Sequence, residues 1–444
     1  LSSNVSDTMK EDFLHFLWLF QYFDKTSLQT TQGDPLNIIQ VGSPNTSSGA
    51  DFSLSKLDIG GVDWAGDVEI HLKSSDWNAH QHQRDAAYNN VILHVVWEND
   101  IPVLRADGTP MPTLELKTRT NLKWLQQYQM MLSNREVIPC ANQFAGVSTI
   151  QKLSMMDRAL IKRLEDKAFL LRTLLIKNQR DWEETTYQAL AKNFGFKVNS
   201  EPFLRLSQGL PLKVLLKHHD DIRQLEALLL GQAGLLWGKP QAQSDQDDDG
   251  YIQYLQKEHR FLSHKYRLED TQLAYEHWKF MRLRPANFPT VRLAQFAALI
   301  HQYQSLFSLF FNHDYKTLAK KLQINQSDYW QTHYTVGKTT PKKVPGLGKG
   351  SIENIVINTV VPLLVLYAKE KGQEKYLERA TGFLENIKAE DNRILRIWEG
   401  LGLKVKNAFD SQALIELYNH YCTPKKCLNC SIGVSLIKKA DAYG

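Results

Sequence analysis

Apolar residues recur at helical spacing over residues 10–23, then give way within the first hundred positions to short runs in which apolar and polar side chains alternate. Alternation at every second residue marks a strand with one buried face, whereas spacings of three and four mark an amphipathic helix. The pattern predicts a helix over 10–23, strands over 36–41, 52–59 and 67–73, a helix near 78–89 and an apolar strand over 91–97, the order αβββαβ. Gly60-Gly61 separates the second and third strands as a tight turn. From about residue 120 the spacing is helical almost throughout, in segments such as 155–177, 182–193, 220–230, 252–265 and 292–311, with Gly and Pro at the junctions. The expected architecture is an α/β N-terminal domain over 9–118 followed by a larger, mainly α-helical region, divided into 119–240 and 251–437 by a linker near 238–250.

Composition narrows the class without naming an activity. A chain of 444 residues with 43% hydrophobic and 23% charged positions has the usage of a folded protein of more than one core. A net charge of +5 is compatible with a polyanionic partner but does not require one. Four cysteines, three of them between Cys422 and Cys430, argue against a secreted disulfide framework and for a reducing, cytoplasmic setting. The eight residues before Met9-Lys-Glu-Asp are left out of the expected fold as an extension. The apolar run 13–23 is too short to cross a bilayer, and 355–368 is interrupted by Asn358 and Pro362, so no membrane span is expected.

In the strand 67–73, alternation puts Val68, Ile70 and Leu72 on one face and Glu69, His71 and Lys73 on the other. The hairpin at Gly60-Gly61 folds this strand beside the one that begins after Asp51, so the carboxylates of Asp51 and Glu69 are expected to approach one another. Two such carboxylates form a hard oxygen site suited to magnesium or manganese. His80 and His82 follow on the expected helix and His94 lies in the apolar strand; imidazoles near the carboxylates would suit zinc or manganese as well, although taken one by one they read as solvated and core histidines. Ser75 or Asp76 reads as a helix cap with Trp77 packed beneath, and a Ser75, His80 and Asp85 hydrolase triad is disfavoured because no Gly-x-Ser-x-Gly elbow is present.

An Asp at a strand start, a hairpin, and Glu69-x-His71 on the next strand, inside an αβββαβ core, resemble the PD-(D/E)xK nuclease superfamily. The resemblance implies a restriction-endonuclease-like domain with Asp51 and Glu69 as metal ligands. His71 stands where the superfamily carries a lysine, so His71 or Lys73 would position or deprotonate the attacking water.

Two later segments carry further candidate chemistry. Val344-Pro-Gly-Leu-Gly-Lys-Gly-Ser351 resembles a helix-hairpin-helix turn, in which Gly346, Gly348 and Lys349, with Lys343, would hold a nucleic-acid backbone. Gly350 occupies the place where the related DNA glycosylases carry a catalytic lysine, so glycosylase chemistry is not expected. Cys422, Cys427 and Cys430 have the spacing of a metal knuckle, with His420 or Cys140 as the fourth ligand, for zinc or for an iron–sulfur cluster. The acidic run Ser244-Asp-Gln-Asp-Asp-Asp249 imitates a calcium loop but has Gln256 at its closing position, and reads as a solvated loop.

Met9-Lys-Glu-Asp-Phe-Leu14, Gly49-Ala-Asp-Phe52, Trp64-Ala-Gly-Asp-Val-Glu-Ile-His71, Ser75-Asp-Trp77, Val91-Ile-Leu-His-Val-Val96, Arg284-Pro-Ala-Asn-Phe-Pro289 and Cys427-Leu-Asn-Cys430 together resemble an uncharacterised bacterial family, domain of unknown function 2851. That resemblance implies no activity. The residues lead to a metal-dependent nuclease; the alternatives are a nucleic-acid-binding or scaffold protein with a decayed nuclease core, and a zinc-dependent hydrolase of a small molecule.

Overall fold

In the computed structural model, which describes residues 9–45, 47–237 and 250–439, the first apolar stripe forms helix α1 (Glu11–Phe20). Phe13, Leu14, Leu17 and Trp18 are buried along it. The helix stops earlier than its stripe because Gln21 turns left-handed and returns its N–H to Leu17 and Trp18.

Strands β1 (Leu36–Gln40), β2 (Ser43–Pro44), β3 (Phe52–Ile59), β4 (Val62–Lys73), β5 (Val91–Glu98) and β6 (Thr113–Glu115) form one mixed sheet, in the order β1-β3-β4-β5-β6 with β2 also on β3. β1, β3 and β4 run antiparallel, while β5 lies parallel to β4 and β6 parallel to β5. Gly60 and Gly61 both take positive φ, at 63° and 83°, and join β3 to β4 as a two-residue hairpin turn closed by the Ile59 and Val62 pair. β4 begins five residues before its predicted start, extending the hairpin through the exposed segment Val62 to Ala65.

The largest departure from the predicted pattern lies between β4 and β5. In place of one helix over 78–89 the chain makes the short helix α2 (Asp76–Ala79) and the 3-10 turns His82–Arg84 and Ala86–Tyr88. Gln81 is left-handed between the first two, and the Asp85 carboxylate caps the last by accepting the Ala87 N–H. Trp77 anchors this crossover: it is 1% exposed, packs with Ala50, Val91, Val103 and Met111, and donates its indole N–H to Leu104 O. Ser75 does not cap α2 with its side chain; its hydroxyl donates to Asp100 (2.7 Å), which separates it from His80 and takes the Ser75, His80 and Asp85 triad apart.

The mainly helical remainder begins with α3 (Leu122–Ser133) and α4 (Thr149–Lys177). The chain divides into two compact units, Leu1–Asp157 with Glu416–Gly444, and Arg158–Ile415. The expected boundaries at 118 and near 240 are therefore not where the units part, and the C-terminal segment belongs with the α/β unit. The expected linker over 238–250 and the acidic run 244–249 fall in a segment of which only residue 250 is among the described residues. The predicted helix over 292–311 is broken into Pro289–Gln302 and Leu306–Phe311, the second capped by the Ser305 hydroxyl accepting the Ser308 N–H.

The apolar run near 355–368 lies within a helix from Lys349 to Lys371 that is long and apolar enough to span a membrane, but 72% of its most apolar window is buried in the fold. A π turn at Val356–Val360 precedes Pro362, which has no N–H to give to the residue four positions back.

In this second unit Glu226 is fully buried and accepts from Ser327 Oγ (2.6 Å), Trp330 Nε1 (3.1 Å) and the Tyr251 hydroxyl. Burial pushes its carboxyl up to about 7, although the three donors oppose the shift. Because the folded state holds this proton more tightly than the unfolded one, the stabilisation is complete below about pH 4.5 and is lost as pH rises through about 7. Thermal unfolding between pH 4.5 and 8 is expected to show a loss of about 3 kcal/mol in the wild type that Glu226→Gln lacks. Parallel pH profiles for the two proteins would remove Glu226 as its source.

Candidate functional site

Pairing of Phe52 with Val68 sets Asp51 opposite Glu69 on the neighbouring strand. The Asp51 N–H donates to Glu69 Oε2 (3.1 Å), and Asp51 Oδ2 accepts the Ile70 N–H (3.0 Å). These bonds hold Asp51 and Glu69 side by side on neighbouring strands. Beside them β3 bulges: Ser53 and Leu54 together oppose Asp67, and Leu54 takes a left-handed φ of 62° while its N–H donates to Asp67 Oδ1 (3.2 Å). A non-glycine residue held this way costs on the order of 1 kcal/mol.

The alternating pattern places Glu69 and His71 on one face of β4, and the structure buries both, at 5% and 2% exposure. The crossover turns then bring His80 and His82 over that same face. On a regular helix two residues apart in sequence would point about 200° apart, so the irregular path is what lets both reach the strand. His82 is held from behind by Tyr88, stacked at 3.7 Å, and by the edge of Trp77.

Donor atoms converge closely here. His71 Nε2 lies 3.1 Å from His80 Nδ1 and 3.5 Å from Glu69 Oε1, and His82 Nε2 lies 3.4 Å from the same Glu69 oxygen. Ligands about 2.0–2.1 Å from a tetrahedral ion stand about 3.4 Å from each other, so these spacings suit one metal ion. Among the described residues, His71, His80 and His82 form the one set of three or more metal-capable side chains with donor atoms within 4.8 Å of one another. The buried His82 Nε2 has no hydrogen-bond partner despite facing Glu69, which leaves a lone pair or proton uncompensated in the protein alone.

His94 completes the support. It pairs with Glu69 in the register of β5 with β4, is fully buried, and its Nε2 lies 2.8 Å from His71 Nδ1. A second imidazole at that nitrogen orients the His71 ring and can fix its Nε2 toward the other donors. On the open side, α1 contributes His15, 3.3 Å from Asp51 Oδ2, and Glu11.

Without a cation, electrostatics favour the uncharged forms of Glu69, His71, His82 and His94. Burial, then the Asp51 carboxylate, pushes Glu69 up to about 8. Burial, then His82 and His80, pushes His71 down to about 3; His82 is lowered by burial and His80, and His94 well lowered by burial and its histidine neighbours. His15 behaves oppositely: burial works against its charge, but Asp51 and Glu11 raise it above the ordinary value. Neutral imidazoles and a carboxyl that sheds one proton are the form in which such groups accept a metal.

Lys73 does not join the cluster. It is exposed at the end of β4, and among the described residues no hydrogen bond or ion pair links its ammonium group to Asp51 or Glu69. The sequence reading of His80, His82 and His94 as separate, ordinary histidines misses their convergence, and α1 is absent from it. One signal was available: five of the 14 histidines precede residue 95, and all five lie at this site.

The glycine loop lies in the other unit. A short hairpin, His333–Thr335 with Lys338–Thr339, precedes it rather than the helix that a helix-hairpin-helix would have. Gly346 is a packing requirement, since a Cβ there would come within 2.5 Å of Ile324 O. Gly348, Lys349 and Lys343 are exposed, and Lys349 lies 3.8 Å from Glu353. Cys140, Cys422, Cys427 and Cys430 form no disulfide and are all buried, while His420 is exposed beside Glu416.

The model of a family described as "Protein of unknown function (DUF2851)" matches residues 11–393. The chain belongs to the DUF2851 family. The matched stretch of this DUF2851 protein contains Glu11, His15, Asp51, Glu69 and the four clustered histidines, and ends before Cys422. Neither a curated protein nor a solved structure matches the chain.

Proposed function

We propose that this protein is a metal-dependent phosphodiesterase acting on nucleic acid. The reading rests on the convergence of Asp51, Glu69, His71, His80 and His82 on one face of a mixed sheet. The antiparallel β1, β3 and β4 followed by the parallel β5 are in keeping with the PD-(D/E)xK resemblance, with His71 in the lysine position. A divalent ion bound at such a site polarises a phosphoryl oxygen and makes bound water more acidic. Hydrolysis joins the water oxygen to phosphorus, breaks one P–O ester bond and leaves a proton for the departing alkoxide. Asp51 and Glu69 would hold the cation, and His71, kept neutral and oriented by His94, acts as a ligand rather than a base. His15, which stands 3.3 Å from Asp51 Oδ2 on the open side of the site, is suited to protonate the leaving oxygen.

Three imidazoles in the donor set favour manganese or zinc over magnesium, and this supports a second reading, a zinc-dependent hydrolase of a small molecule. Incubation of wild type and Glu69→Ala with single- and double-stranded DNA and RNA, and with small phosphate and carboxylate esters, under Mn²⁺, Mg²⁺ or Zn²⁺ separates the two. Cleavage of a polynucleotide by the wild type alone is expected. Turnover of small esters alone supports the second reading, and equal activity in both proteins, or none in either, counts against both.

The exposed lysines of the glycine loop would add contacts to the nucleic-acid backbone from the helical unit. Replacing Lys343 and Lys349 together by Ala is expected to weaken binding evenly across sequences and to lower the slope of log K against log salt by about 2. Titrations at several salt concentrations measure this, and an unchanged slope would remove the loop from the interface.

A further inference from the structure

We propose that Cys140, Cys422, Cys427 and Cys430 together ligate one iron–sulfur cluster. The chain has four cysteines in 444 residues, and all four are buried within the same compact unit although about 280 residues separate the first from the rest. Cys140, Cys422 and Cys427 are each coupled electrostatically to Cys430, in keeping with thiols that lie near one another. The connection is built in backbone as well. Lys425, between the first two cysteines of the C-terminal loop, donates its ammonium group to Leu132 O and Asn134 O, and Asn134 holds Pro139 O beside Cys140 (2.9 Å). The C-terminal helix Ser431–Lys439, which starts directly after Cys430, packs on α3.

Thiolates are the form in which cysteines hold a metal centre.

Spacing decides between one zinc ion and a cluster. Four thiolates on a single zinc, at about 2.3 Å each, stand about 3.8 Å apart. The four sulfurs here are not drawn in so far: no three cysteines among the described residues have their sulfurs within 4.8 Å of one another, whereas three histidines do. A multi-iron core spreads its ligands more widely than one ion does. The run Cys422-x4-Cys427-x2-Cys430 also has the ligand spacing of plant-type ferredoxin clusters, with the fourth ligand supplied from elsewhere in the chain. Cys140 takes that place, and the exposed His420 does not.

The proposal stands apart from the hydrolytic reading, so Glu69→Ala should keep the cluster. Full-length protein purified without oxygen from iron-replete cells is expected to be brown, with about two or about four iron atoms per chain and as much acid-labile sulfide. Cys140→Ser is expected to cut iron and sulfide severalfold, while His420→Ala leaves both. Mössbauer spectra of the wild type need no variant, and should show every iron in a tetrahedral, all-sulfur site. One zinc per chain without sulfide, no bound metal at all, iron with a non-sulfur ligand, or full iron and sulfide in a folded Cys140→Ser protein would each overturn the proposal.

Discussion

Glu69→Gln is expected to lower metal-dependent cleavage by about 10³-fold, equivalent to about 4 kcal/mol of transition-state stabilisation, with the fold intact. Glu69 is the one side chain that faces both halves of the site: one oxygen accepts the Asp51 N–H, and the other stands beside His71 and His82. Its carboxyl is neutral up to about pH 8 in the metal-free protein, so the amide copies that form in shape and charge. Only the metal-bound state, which needs the anion, should suffer. Initial rates with and without Mn²⁺, together with circular dichroism of both proteins, measure this. A variant within tenfold of wild type would remove Glu69 from the chemistry.

Manganese or zinc is expected to raise the melting temperature of the unit that carries the site. At a free metal concentration about 100 times Kd the stabilisation is about 2.7 kcal/mol, or roughly 5–10 °C for a unit of this size. Below about pH 8 each ion must displace the Glu69 proton, so apparent affinity should rise with pH by up to about tenfold per unit and level off above pH 8. His71 adds no such dependence near neutrality, because it is already unprotonated down to about pH 3. Scanning calorimetry across pH with wild type and His82→Ala gives the comparison. An equal rise in both proteins would place the ion elsewhere.

Much of the site's frame was legible in the sequence because strands report themselves locally. The bounds of β3 and the Gly60-Gly61 turn came out as predicted, and with them the placing of Asp51 beside Glu69 on adjacent strands. The histidine cluster was legible only as an alternative, for the opposite reason. It depends on the irregular crossover between β4 and β5, where a left-handed Gln81 and the anchor Trp77 override a helical pattern. His15 was hidden differently: its helix was predicted, but nothing local says that α1 lies against β4. Cys140 was visible only as one of two choices for a fourth ligand, since contacts between residues hundreds of positions apart leave no periodic trace.

The grouping of Glu416–Gly444 with Leu1–Asp157 bears on how the protein is made. During synthesis the α/β unit emerges first but lacks its last helix until the whole of Arg158–Ile415 has been translated. At roughly 5–20 residues per second that wait is on the order of tens of seconds. The helical unit, contiguous in sequence, can fold as it emerges, while the earlier-born unit closes only once Glu416–Gly444 has followed. A nascent chain would therefore hold its metal-binding histidines before its cysteine loop, and a chain cut short before Glu416 would leave its earlier-made unit the unfinished one.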